Sequence, residues 1–144
     1  MTPADELRAA AALLRTLATA ATPGPWRQHD THLDLGGHTA TVLSGHQNTT
    51  ELRAWLPTMS HEPWDETRNV WADASYIALM DPTVGLALGE WLDHAATAHD
   101  ASVTAAASVW PDPADAAERS AWVARQTELP ALAVARALTQ EQPS

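Results

Sequence analysis

His29, Asp30, His32 and Asp34 fall within six consecutive residues, and His38, His46 and His61 follow downstream. Imidazole and carboxylate are the groups a divalent metal takes, provided three or four of them converge. On an extended strand Asp30, His32 and Asp34 alternate onto one face, near enough for two of them to share an ion. If Gly36-Gly37 forms a two-residue turn, His29 and His38 fall on the opposite face and the larger cluster breaks. There is no cysteine and no H-E-x-x-H pattern. The reading is therefore a polar, solvent-facing hairpin with no metal and no cofactor; Asp30, His32 and Asp34 are the ligands should an ion bind. His94 and His99 are five apart, about 140° around a helix, and make no ligand pair.

Carboxylates offer a second chemistry. Glu62, Asp65 and Glu66 precede a helical stretch carrying Glu90 and Asp93. Helical acids at E-x-x-D spacing can hold magnesium on a nucleotide for hydrolysis, since magnesium favours a few carboxylates with waters and phosphates. Two features oppose that role here. The first group lies in a loop with Pro63 and Trp64, and Arg68 is the single base nearby to hold a triphosphate. No nucleophile elbow or phosphate loop is present, and the Gly36-Gly37 and Gly85/Gly89 pairs lack the lysine and threonine context of one.

Tryptophan is the third constellation, at 26, 55, 64, 71, 91, 110 and 122. With no phenylalanine and a single tyrosine, these indoles must supply most of the aromatic core. Trp26 and Trp91 read as structural. Trp55 and Trp64 sit in a less regular segment, where an exposed indole anchors a partner or lines a ligand pocket.

The elements that would position these groups follow from caps and periodicity. Residues 2–21 read as a helix, with Thr2 as N-cap, Pro3 in the first turn and Asp5 and Glu6 at its positive end. Leu7, Leu14 and Ala21 recur on one stripe with Leu13 and Leu17 beside it. Pro23 stops the helix, Pro23-Gly24 suits a type II turn, and Trp26 is the anchor that follows. Residues 26–58 read as a hairpin or small antiparallel sheet. With Gly36-Gly37 as the turn, Leu33 pairs with Ala40, Thr31 with Val42 and His29 with Ser44, and Asp30 points away from the Ala40 and Val42 face. Residues 59–69 read as a loop.

Residues 70–140 are helical. Asp81-Pro82 interrupts them, with Asp81 as N-cap and Pro82 at the first helical position. Val84, Leu88, Trp91, Leu92 and Ala95 form one stripe, and Gly85 and Gly89, one turn apart, allow another element to approach closely. A further helix starts near Asp112 or Pro113, and a last short one at Pro130. The class is α+β: four to five helices in one domain, 1–144, with the hairpin or sheet inserted after the first helix.

Three segments in this order, ATPGPW at 21–26, ADASYIALMDPTVGLALGEWLD at 72–93 and ALAVARAL at 131–138, resemble small uncharacterised proteins of actinobacterial phages and prophages related to the Ead-like phage early proteins. The resemblance covers about a quarter of the chain directly. It implies a phage or prophage accessory protein and transfers no catalytic residue.

Composition narrows the function further. The formal net charge is −10, and between Glu62 and Glu118 eleven acids face one base, Arg68. Such a surface repels phosphates, so no direct nucleic-acid binding is expected, although an acidic face can imitate a phosphate backbone toward a DNA-binding protein. All eight bases are arginine and alanine is abundant, which follows GC-rich codon usage. Asp5 and Glu6 stand where a secretory signal would be basic, and the longest apolar run near the start, Ala9–Leu14, cannot span a membrane. The expectation is a cytoplasmic, non-catalytic binding protein that engages a host protein, with a homodimer through helical faces as a further possibility. Its contact residues would be Trp55, Trp64, Asp65 and Glu66. The rivals are a magnesium-dependent nucleotide hydrolase using Glu62, Asp65, Glu66, Glu90 and Asp93, and a small-ligand binder with a tryptophan-lined pocket.

Overall fold

The computed structural model describes residues 1–32, 38–45, 50–56 and 70–140. Among them are five α-helices and a three-stranded antiparallel sheet that follows the first helix, an α+β fold. The chain gathers into two compact units, Met1–Thr16 with Leu86–Ser144, and Leu17–Gly85. No helix of the described residues is long and apolar enough to cross a membrane.

The first unit is built from helices. Helix α1 spans Pro3–Ala20. Its start is a reciprocal cap: the Asp5 N–H donates to Thr2 Oγ1 at 3.2 Å, and the Thr2 N–H donates to Asp5 Oδ2 at 2.9 Å. Helix α3 spans Pro82–Val109, α4 spans Ala116–Gln126 and α5 spans Leu129–Thr139. A 3-10 turn over Pro113–Asp115 precedes α4, capped by Asp112, whose Oδ1 accepts the Ala114 N–H at 2.8 Å. The core joins Ala4, Leu7, Ala10 and Ala11 of α1, Leu92, Ala95 and Ala96 of α3, and Ala131, Leu132 and Ala135 of α5. Alanine dominates it, so the helices meet at short range. An added methyl at Gly89 would stand 3.4 Å from the Ala11 carbonyl oxygen, an ordinary contact. The α1 stripe is narrower than the leucines suggest: Leu7 is fully buried and Leu14 half-buried, while Leu13 and Leu17 are exposed.

The second unit holds the sheet. Strand β1 is Trp26–Asp30, β2 is Ala40–Ser44 and β3 is Glu51–Trp55, in the order β1-β2-β3. Helix α2, Val70–Leu79, covers one face: Ala74 and Ala78 pack on Ala40 and Val42, with Trp26, Ala54, Trp71 and Ile77 around them. All five residues of the central strand β2 are buried, which suits a strand covered on both sides. A bulge at Val42/Leu43 leaves Arg53 as the extra residue of β3; its guanidinium donates to Thr22 Oγ1 at 2.6 Å and pairs with Glu51.

Two local expectations change. The β1–β2 register pairs Trp26 with Ser44, Gln28 with Val42, His29 with Thr41 and Asp30 with Ala40, three residues away from a turn centred on Gly36-Gly37. Asp30 therefore shares a face with Ala40 and Val42, since residues directly opposite in an antiparallel pair lie on the same side. Asp30 Oδ1 accepts the N–H groups of Thr39 and His32, which ties the end of β1 to the residue before β2 in this register. Gly36 and Gly37 themselves lie outside the described residues.

The corner at 21–26 also works differently. Gly24 has no positive φ, so it is not the third residue of a type II turn, and the Gly24-Pro25 peptide is cis. Its need for glycine is a close approach: a Cβ there would fall 2.3 Å from Asp81 Oδ2. Asp81 caps α3 as its position implies, Oδ1 accepting the N–H groups of Thr83 at 2.8 Å and Val84 at 3.3 Å. Its Oδ2 accepts the Trp26 N–H at 3.3 Å, while the Trp26 indole donates to the Thr22 carbonyl at 3.0 Å. The TPGPW corner is thus tied to the N-cap of α3 through one buried carboxylate.

Candidate functional site

Two places in the molecule collect chemistry, one in each unit. The first lies where β1 ends. Asp30 is the last residue of β1, and the Thr31 N–H continues the ladder to the Thr39 carbonyl at 3.3 Å. The chain then turns through His32, a non-glycine residue at φ 52°, a left-handed conformation uncommon for a side chain with a Cβ. This turn and the return at His38 set both imidazoles beside one carboxylate. His38 Nδ1 stands 2.5 Å from Asp30 Oδ2, and His32 Nε2 stands 3.6 Å from the same oxygen. The two rings lie 5.1 Å apart and are inclined by 50°.

The two oxygens of Asp30 have separate tasks. Oδ1 takes the Thr39 N–H at 2.9 Å and the His32 N–H at 3.3 Å, which fixes the plane of the carboxylate and leaves Oδ2 for the imidazoles. The Thr39 N–H foremost, then the His38 ring, pull the Asp30 pKa down from its ordinary value to about 2. The carboxylate is ionised throughout the physiological range. Its side chain is 27% exposed, against 57% for His32 and 77% for His38.

Of the three sequence candidates, Asp30 and His32 are thus brought together, and Asp34 lies outside the described residues. His38 corrects the expectation that it faces away: with the register moved by three, it returns to the side of Asp30. His29 is exposed on the other face of β1 and stays apart. Among the described residues, Asp30, His32 and His38 are the one group of three such donors whose ligand atoms all lie within 4.8 Å of one another.

The second place is an apolar groove in the helical unit, about 580 Å³ in volume, open to solvent and walled by α3, α4 and α5. Val103 and Ala107 line it from α3, Val123 and Thr127 from the end of α4, and Leu129 and Leu132 from α5. Val103 and Leu129 are exposed at 45% and 65%. Its polar lining is His99, Thr127, Arg119 and Ser120. The Thr127 hydroxyl donates to the Val123 carbonyl at 3.0 Å, so the buried His99 ring, 3.1 Å away through Nδ1, must donate to the hydroxyl oxygen. His99, Val103 and Ala107 fall four residues apart on one face of α3, a spacing that by itself does not distinguish a groove from a packed face. Small side chains at such positions leave space that larger ones would fill.

The remaining candidates stay dispersed. Glu90 is exposed on α3, Asp93 pairs with Arg15, and no third carboxylate joins them among the described residues. Glu62, Trp64, Asp65 and Glu66 lie outside the described residues. Trp55 is 52% exposed on β3, and among the described residues no tryptophan lines the groove. Trp91 donates its indole N–H to Glu128 at 2.9 Å, and Trp110 packs against Trp122 with ring centres 6.1 Å apart. No protein-family model, curated protein or solved structure matches this chain.

Proposed function

We propose that this chain is a non-catalytic binding protein that engages another protein, and, in the setting its resemblance implies, a phage or prophage accessory protein acting on a host protein in the cytoplasm of an actinobacterium. The observation that carries this reading is the groove of α3, α4 and α5. An open apolar channel with Val103 and Leu129 at its edge and a His99–Thr127 pair within it suits apolar side chains of a partner, with a polar contact to fix their register. The exposed Trp55 offers a further anchor. Crosslinking tests the reading. A photoreactive residue at Val103 or at Leu129 should trap one host polypeptide in the producing cell, and the same residue at the exposed Tyr76 of α2 should not. The purified partner should then bind the wild-type chain at least tenfold more tightly than Val123→Arg. Equal trapping at all three positions, or full affinity of Val123→Arg, overturns the groove as the contact surface.

The groove volume favours a second reading, sequestration of a small apolar ligand, because about 580 Å³ lies within the range of small-molecule sites. A native mass spectrum of the gently purified protein separates the two. Added mass of a few hundred daltons supports the ligand, added mass of a polypeptide supports the partner, and doubled mass supports a homodimer.

A further inference from the structure

We propose that Asp30, His32 and His38 form a binding site for a divalent transition-metal ion of the zinc type, independent of the helical groove. The donor set is two imidazoles and a carboxylate, on His38 Nδ1, His32 Nε2 and Asp30 Oδ2, with all three atoms within 4.8 Å of one another. Ligands about 2.1 Å from zinc in a tetrahedral shell stand roughly 3.4 Å apart. The separations of 2.5 Å and 3.6 Å from Asp30 Oδ2 lie on either side of that spacing. An ion replaces the direct His38–Asp30 contact by moving an exposed ring outward, with no buried packing to disturb.

What distinguishes this trio from polar residues that happen to meet is the support behind it. Asp30 is held by two backbone N–H groups on the oxygen that faces away from the imidazoles. Fixing the orientation of a ligand through its other hydrogen-bonding atom is how metal sites are stiffened. His32 holds a left-handed backbone, and the result of that conformation is a second imidazole at the same carboxylate oxygen as the first. One histidine would already satisfy that oxygen as a hydrogen-bond acceptor; two, from either side of the turn, converge on a point. Two nitrogens with one oxygen select zinc, nickel, cobalt or copper over magnesium and calcium, which take oxygen. Three protein ligands leave a fourth position for water or for a donor from a partner.

Calorimetric titration of the full chain, free of any histidine tag, with Zn²⁺ in the presence of excess Mg²⁺ tests this. Magnesium occupies the acidic surface and leaves an imidazole site open. The expected result is one Zn²⁺ per chain, with affinity at least tenfold weaker in His32→Ala and in His38→Ala and unchanged in His29→Ala and His94→Ala. Co²⁺ should give visible absorption of a site with nitrogen ligands, lost in the same two variants. Should either variant fail to fold by circular dichroism, the ring ¹⁵N resonances of the wild-type chain decide instead: His32 and His38 must shift on adding Zn²⁺. No saturable binding beside Mg²⁺ overturns the proposal. So does binding kept by both His32→Ala and His38→Ala, or ring resonances that do not move.

Discussion

A single carboxylate, Asp81, connects three local features that the sequence presents separately. It caps α3 through Oδ1 and holds the Trp26 N–H through Oδ2, and Gly24 is the residue that lets the corner come that close. A methyl at Gly24 would overlap Asp81 Oδ2 at 2.3 Å, whereas one at Gly85 would meet Ala18 Cβ at 3.4 Å, ordinary contact. Gly24→Ala must therefore push Asp81 off its caps or move the corner, a small-to-large change that costs about 1–3 kcal/mol. Gly85→Ala fits and gains helix propensity, up to about 1 kcal/mol. Urea unfolding should lower the midpoint of the first variant and hold or raise that of the second. A Gly24→Ala midpoint equal to wild type would show that the approach is not needed.

At the scale of elements, helices were legible and strand pairing was not, for a physical reason. A cap is written in neighbouring residues: Thr2 with Asp5, Asp81 with Pro82 and Asp112 with Pro113 all mark starts that the structure has. Register depends on contacts between residues distant in sequence, and here the Asp30 side chain reaches Thr39 nine residues on. The same error hid His38, so two of the three residues of the candidate metal centre were readable and the third was not. The groove was less legible still, because it is a shortage of side-chain volume between helices that pair only in three dimensions. One joint between elements has a pH signature. Arg136 of α5 donates to both oxygens of Glu6 on α1, at 2.6 Å and 3.1 Å, and this pairing lowers the Glu6 pKa below its ordinary 4.5. A lowered carboxylate pKa stabilises the fold fully above the unfolded value and loses that contribution as pH falls through the native one. The Tm gap between wild type and Glu6→Gln should thus be constant above about pH 5 and close as pH drops below 4.5. Curves that stay parallel down to about pH 3 would show that the pair contributes nothing.

For the molecule as a whole, charge decides which partners can approach. The formal net charge is −10, and several of the few bases are engaged by the chain's own acids. Among the described residues, Arg8 pairs with Asp100, Arg15 with Asp93, Arg53 with Glu51 and Arg136 with Glu6. Binding to a nucleic acid backbone needs cations free to displace its counterions, and gains affinity as salt is lowered. This chain has the opposite balance: lowering salt lengthens the reach of its own repulsion toward phosphates. Fluorescence anisotropy with a labelled DNA duplex or single-stranded RNA should therefore show no saturation up to about 100 μM chain at low salt, a range in which non-specific binders are readily seen. A basic protein partner should behave in reverse, associating faster as ionic strength falls while its dissociation rate changes little. Saturable nucleic-acid binding that weakens with salt would mean that cations outside these four pairs form a patch strong enough to overcome the net charge. In that case the acidic surface could not be what selects the partner, and contact would have to be assigned to the groove alone.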